Sequence, residues 1–294
     1  MKFWISLSHT ATEHVVRLAQ RAESVGFEGV SLADHMFVPE VIESKYPYSP
    51  DGSPPFAKTI HHPDVWALIS AMATATKTLR FTLTTYILPL HDVFETARGA
   101  ATAAVLSEGR AHISVGVGWM KDEFDIRGID WKSRGRRTDE MIEVMRKLWS
   151  GEPTEHHGDF YDFRPLTMRP APPAPIPILV GGSSPPALRR SATLGDGWIG
   201  HGHTPDETEA LLEEIARLRA QAGRSKEPFE CMVPLATEPD ARDYERLAKK
   251  GMDAVVSFPP SVMMGNANPT FEEELAFIDA YAENVIRPFA SIGE

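Results

Sequence analysis

Asp34 and His35 stand side by side after the apolar run Gly29-Val30-Ser31-Leu32-Ala33. An acid next to an imidazole is equipped for proton transfer or for hydrogen bonding to a ligand, because histidine titrates near pH ~6.5 and both gives and takes a proton at neutrality. An Asp capping the turn over a packed His is the plainer alternative. Thr84-Thr85-Tyr86 closes another such run, before Pro89, and its small hydroxyl residues suit a ring edge or an ordinary strand end. Gly116-Val117-Gly118-Trp119, then Asp122-Glu123-Phe124, closes His112-Ile113-Ser114-Val115. Two glycines at a strand end let a backbone or a ligand come where a Cβ would intrude, and the Trp beside them offers a flat apolar wall. Gly181-Gly182-Ser183-Ser184 follows Ile176-Pro177-Ile178-Leu179-Val180 and leads through Pro185-Pro186 into a helix. Strand, glycine turn and helix start together suggest free N–H groups, hydroxyls and the positive end of a dipole facing one anion. The dipole supplies only about 0.3–1 kcal/mol, so N–H bonds must share the work of holding a phosphate.

Two further clusters invite chemistry. Lys132-Ser133-Arg134-Gly135-Arg136-Arg137 is the one dense basic run, either an anion trap or a solvated helix start paired with Asp139, Glu140 and Glu143. His201-Gly202-His203, among eleven histidines, has the spacing of a zinc-ligating pair. A barrel metallohydrolase is expected to carry that pair on its first strand, which here ends in the lone His9, so no metal is expected and metal-dependent hydrolysis stays a remote alternative.

These residues need a frame that brings strand ends together. Apolar runs near 2–8, 29–33, 79–86, 111–118, 176–180, 197–200, 229–235 and 253–258 read as eight buried strands. Amphipathic stretches alternate with them. Residues 13–25 end at Gly26, residues 138–149 stop at Gly151, and Thr204 with Glu207 and Thr270 with Glu273 form capping boxes. Eight strand–helix units within one domain over 1–294 predict a TIM (β/α)8 barrel, whose chemistry gathers at strand C-termini. A doubly wound dinucleotide fold would show glycines after its first strand, where this chain has Ser8-His9-Thr10-Ala11. Two long connections interrupt the rhythm: 37–60, placed to cover the mouth, and 152–175, which starts on the opposite face.

Composition narrows the partners. A net charge of -11 gives no basic face for nucleic acid or anionic membrane. Cys231 is the sole cysteine, which excludes an intrachain disulfide and suits the cytoplasm. No apolar stretch approaches the roughly 20 residues that cross a bilayer. The expected partner is a small molecule, and the expected assembly is a homodimer.

The ordered set Ala22-Glu23-x-x-Gly26-Phe27, Asp34-His35, Leu106-Ser107-Glu108-Gly109-Arg110, Gly116-Val117-Gly118-Trp119-x-x-x-Glu123-Phe124, Arg134-Gly135-x-Arg137-x-Asp139-Glu140, Leu148-Trp149-Ser150-Gly151, Gly181-Gly182-Ser183 and Gly195-Asp196-Gly197-Trp198 spans nearly the whole chain. It resembles the bacterial luciferase-like flavin superfamily, closest to oxidoreductases that use the deazaflavin coenzyme F420. The resemblance implies a hydride transfer between F420 and an organic substrate, with FMN-dependent monooxygenation as the alternative. It implies a cofactor ring in the barrel mouth touched by Asp34, His35 and a Thr84-Thr85 bulge, often a non-proline cis peptide in relatives. Gly116, Gly118 and Trp119 would line the ring or the substrate space, and Gly181, Gly182 and Ser183 would hold the phosphate. His35 would be the hydrogen-bonding or proton-transfer partner, oriented by Asp34. Some F420-dependent dehydrogenases carry an acid directly after the second glycine; Trp119-Met120-Lys121 stands there, which argues against a sugar-phosphate substrate.

Overall fold

The structure, a computed structural model, describes residues 1–54, 56, 58–237, 240–289 and 292. Strand β1 (Lys2–Ser6) shows how the frame is built: Phe3 and Ile5 pack outward against helices, while Trp4 points into an interior cluster with Leu179, Ile199, Met232, Ala254 and Val256. A parallel strand buried on both faces must be apolar on both, hence the unbroken runs of the sequence. Strands β2 (Gly29–Leu32), β3 (Arg80–Leu83), β4 (Tyr86–Ile87) and β5 (Ile113–Gly116) follow. Next come β6 (Thr154–His157), β7 (Asp162–Leu166), β8 (Ile178–Gly181), β9 (Gly197–Ile199), β10 (Glu230–Val233) and β11 (Ala254–Val256).

All but β6 and β7 form one parallel sheet in the order β3-β2-β1-β11-β10-β9-β8-β5-β4. It closes where Phe81 bridges Ala111: the Phe81 N–H donates to Arg110 O at 3.1 Å, and His112 N–H donates to Phe81 O at 2.8 Å. Segments β3 and β4 are one stave interrupted at Thr84-Thr85, whose peptide bond is cis. The nine segments therefore make the eight staves of a TIM barrel, as the eight predicted runs require.

Around the staves run α1 (Val15–Val25), α2 (Val65–Ala75), α3 (Val93–Leu106), α4 (Lys121–Arg127), α5 (Arg134–Leu148) and α6 (Pro185–Leu194). Helices α7 (Pro205–Gln221), α8 (Ala241–Lys249), α9 (Pro260–Met263) and α10 (Phe271–Tyr281) complete the ring. The expected caps are present. Gly26 ends α1 at φ +99°, where an L side chain would be strained, and Thr204–Glu207 and Thr270–Glu273 close capping boxes on α7 and α10. Among the described residues no helix is long and apolar enough to cross a membrane.

Below the apolar interior, at the N-terminal end of the barrel, sits a charged plug. Arg80 pairs with Glu28 at 3.0 Å and Glu230 at 3.4 Å, donates to His112 Nε2 at 2.6 Å, and lies over the Trp4 ring. Above that interior β1, β5 and β8 end in small residues, Ser6, Gly116 and Gly181.

The connection 152–175 is not featureless. It contains the antiparallel pair β6–β7, held on α5 by the Glu140 carboxylate, which accepts the N–H groups of Asp159, Phe160 and Tyr161. It stays on the barrel flank. The basic run 132–137 opens α5 and divides among separate partners: Arg134 lies 3.6 Å from the Trp131 ring centre, and Arg136 pairs with Asp159. The acids Asp139, Glu140 and Glu143, expected to pair with this run, bond instead to Arg190, His156 and Lys147.

Candidate active site at the barrel mouth

Each candidate side chain is delivered by the end of a stave. Asp34 and His35 follow β2, Thr84-Thr85 joins β3 to β4, Gly118 and Trp119 follow β5, Gly182 and Ser183 follow β8, and His201 follows β9. The neighbouring pair Asp34-His35 does not act on itself. Asp34 Oδ2 accepts the Ile87 N–H at 2.8 Å and lies 2.8 Å from His91 Nε2, so it ties the second half of the interrupted stave to β2. The orienting acid for His35 is Glu123: its Oε2 lies 3.0 Å from His35 Nδ1, and its Oε1 accepts the Met36 N–H at 3.1 Å. Glu123 has no solvent exposure at all, so both oxygens are committed to these partners. The role expected of Asp34 therefore falls to an acid 88 residues on.

With Glu123 ionised, its oxygen can only accept, so Nδ1 carries the proton and Nε2 is left for a ligand. Among the described residues Nε2 of His35 has no hydrogen-bond partner.

Residues 37–54 of the long connection, with Phe56, fold over the mouth as a lid. Asp122, next to Glu123, accepts the N–H groups of Glu43 at 2.9 Å and Ser44 at 3.1 Å, and Lys121 N–H donates to Ser44 Oγ at 2.8 Å. From this anchor the lid sends aromatic rings inward. Tyr46 meets Trp119 edge-on at 5.0 Å and its hydroxyl lies 3.3 Å from His201 Nε2; Tyr48 lies 3.9 Å from the His201 ring. Phe56 meets His35 at 5.1 Å, His62 at 5.5 Å and His9 at 6.0 Å. Burial drives the imidazoles of His9, His62 and His201 down to about 4, so all three are neutral at pH 7. A side groove of about 740 Å³ runs from Asp34, His35 and His62 past Trp66 and His91 toward Arg127.

The glycines open toward the protein itself. A Cβ on Gly116 would stand 2.4 Å from Thr85 Oγ1, and one on Gly181 would stand 2.4 Å from Thr85 Cγ2. Thr85 is thus set between two staves, and only residues without side chains admit it there. Gly118, at φ +81°, gives way to Ile87 and Phe124. The turn at Gly182 (φ +104°) lacks the expected ring of donors. Pro185 and Pro186 have no N–H, the Ala187 N–H goes to Ser184 Oγ, and the Leu188 N–H goes to Ser184 O. An anion at this turn would be left with the Ser183 and Ser184 N–H groups and hydroxyls.

His201 and His203 diverge. His201 faces the lid tyrosines, whereas His203 stacks over Trp198. Among the described residues no group of three metal-ligating side chains converges.

Residues 3–284 match the luciferase-like monooxygenase family. The chain belongs to that family. An uncharacterized protein of Mycobacterium tuberculosis is 34% identical over 287 residues, covering 97% of this chain and 99% of the relative. The F420-dependent glucose-6-phosphate dehydrogenase of Amycolatopsis mediterranei is 27% identical over 79% of this chain and 66% of its own length. An F420-dependent secondary alcohol dehydrogenase, solved with an F420–acetone adduct, superposes with a TM-score of 0.75 at 17% identity, over 97% of this chain and 98% of its own. For a luciferase-like chain the residues that sequence reasoning passed over are Glu123, quoted only as part of a motif, and the lid anchor Asp122. The signal available was their place directly behind the Gly-Val-Gly-Trp strand end, although their partners lie far away in sequence.

Proposed function

We propose that this protein is an F420-dependent oxidoreductase that moves a hydride between the deazaflavin and a small organic substrate. The observation that carries it is His35, fixed through Nδ1 by a fully buried carboxylate and left with a free Nε2 at the open end of a luciferase-like barrel. An F420-dependent enzyme among its relatives supports the cofactor.

The residues present fit such a group. Three stave ends are small, at Ser6, Gly116 and Gly181, Thr85 forms a floor between Gly116 and Gly181, and among the described residues His62 Nε2 is a buried nitrogen without a partner that a bound ring edge can satisfy. Thr84, Thr85, Gly116, Gly118 and Trp119 would flank the ring, and Gly181, Gly182 and Ser183 the phosphate. The cofactor, when bound, supplies the hydride acceptor or donor. His35 Nε2 takes the proton of a substrate hydroxyl in the oxidising direction and returns it in the reducing one. Glu123 keeps the imidazole in the tautomer that does this, and Asp34 holds β4 in register by its bond to Ile87. The lid excludes water from the reacting atoms.

Titration with F420 and with FMN tests the reading. Saturable F420 binding without FMN binding is expected, and FMN binding without F420 binding would replace it with the monooxygenase alternative. Cytoplasmic location and a homodimer are proposed alongside; sedimentation of the purified chain checks the latter.

A further inference from the structure

We propose that the site takes an uncharged, flat, largely apolar substrate bearing one carbonyl or hydroxyl group, selected by Tyr46, Phe56 and Trp119. The proposal deepens the oxidoreductase reading and rests on it only for where the reacting atom lies.

The rings around His35 set the first half of the argument. Trp119, Phe56 and His62 stand with centroids 6.0, 5.1 and 5.3 Å from it, and Tyr46 extends the wall from Trp119 to His201. Aromatic rings offer large, stiff contact area at little entropic cost, and they favour edge or offset contact with another ring.

Charge sets the second half. Among the described residues no Lys or Arg lies over Tyr46, Tyr48, Phe56 or Trp119; the guanidinium–ring contacts all fall elsewhere, on rings such as Trp131 and Phe81. Of the lid's two lysines Lys58 pairs with Glu40 and Lys45 is exposed, and Lys121 pairs with Asp125. The carboxylates near the mouth, Asp34, Asp122 and Glu123, are all acidic and already bonded. Histidines 9, 62 and 201 add polarity without charge. Beside these rings a phosphate or carboxylate would meet neutral surfaces and negative oxygens, whereas strong anion sites use several charge-assisted donors; the guanidinium groups of Arg98 and Arg127 line the side groove, whose walls do not include Tyr46, Phe56 or Trp119. Around these rings, among the described residues, the polar capacity is a few single bonds: the Tyr46 hydroxyl beside His201, the free His35 Nε2 and the orphan His62 Nε2. That matches one carbonyl or hydroxyl and leaves a polyol largely unsatisfied.

The experiment compares benzylideneacetone with cinnamate, which share a flat skeleton and differ by a charge, and with glucose 6-phosphate. Each is titrated calorimetrically into the full chain, with and without F420. Benzylideneacetone is expected to bind at least about tenfold more tightly than cinnamate, with no binding of glucose 6-phosphate. Tyr46→Ala and Phe56→Ala should each weaken benzylideneacetone several-fold while circular dichroism and F420 affinity stay unchanged, and Tyr46→Phe should keep most of the affinity. Preference for either anion overturns the proposal. So does a failure of benzylideneacetone to bind, or binding indifferent to both alanine variants. If benzylideneacetone binds as expected and F420 does not bind, the cofactor reading falls and the substrate class stands.

Discussion

His35 Nδ1 and Glu123 Oε2 lie 3.0 Å apart, joining the end of one stave to the first turn of the helix after another. Glu123→Gln keeps the shape and removes the charge, so the imidazole is no longer held in one tautomer. Turnover is expected to fall roughly ten- to a hundredfold, while F420 affinity changes little, since the acid touches the His rather than the cofactor. Glu123→Ala should also cost about 2–3 kcal/mol in urea unfolding, because the Met36 N–H loses its buried acceptor. An unchanged turnover in the Gln variant sinks the positioning role.

The lid should open in acid. Burial holds His9, His62 and His201 at about 4, against 6.5 when free. An open lid therefore binds protons that the closed one refuses. Closure is at full strength above pH ~6.5 and weakens as pH falls toward 4, because the form with more bound protons gains on acidification. Hydrogen exchange over residues 37–60, corrected for its intrinsic pH dependence, should accelerate between pH 7.5 and 5. Equal protection at both values refutes the coupling.

How far the sequence shows all this depends on the range of the interactions. Caps are local, so Thr204 with Glu207 and the glycine after α1 are legible within four residues. Barrel staves are legible because burial on both faces demands apolar runs. The partner of His35 is not legible, because any acid in the chain could have reached it; tertiary folding chose Glu123 over the adjacent Asp34. The β6 strand, Thr-Glu-His-His, carries no alternation of apolar residues, since the hairpin is held by Glu140 rather than by a core. The missing donors at α6 are a different case: two prolines announce them, and local chemistry weakens the anion site that the glycine turn suggests.

At the closed end of the barrel, the charged plug should govern acid stability. Burial opposes ionisation of Glu230, but its bond to His112 and the charges of Arg80 and Lys2 outweigh it and hold the carboxyl at about 2, against 4.5 when free. A depressed carboxyl stabilises the fold above pH ~4.5 and loses that contribution as pH falls toward 2. The size is on the order of 3 kcal/mol, from about 1.4 kcal/mol per tenfold change in proton affinity. Glu230→Gln should flatten the unfolding free energy across that window. A wild-type slope retained in the variant assigns the effect to other carboxyls.

Thr85 and Gly181 offer the sharpest test of the mouth. A Cβ on Gly181 would come 2.4 Å from Thr85 Cγ2 but 3.5 Å from Thr85 Cβ, so the clash belongs to the methyl. Gly181→Ala alone should push Thr85 off its seat, at roughly 1–3 kcal/mol of stability and with weaker F420 binding. Thr85→Ala removes the methyl and leaves an ordinary van der Waals distance, so the double variant should recover most of the loss. The cycle of two singles and one double reads that coupling directly, because the two residues touch. Additive losses would mean that Gly181 is needed for some reason other than Thr85, such as direct approach of the cofactor. Gly116 should behave less cleanly. A Cβ there would meet both Thr85 Oγ1 at 2.4 Å and Thr85 Cβ at 3.3 Å, so Thr85→Ala relieves Gly116→Ala only in part.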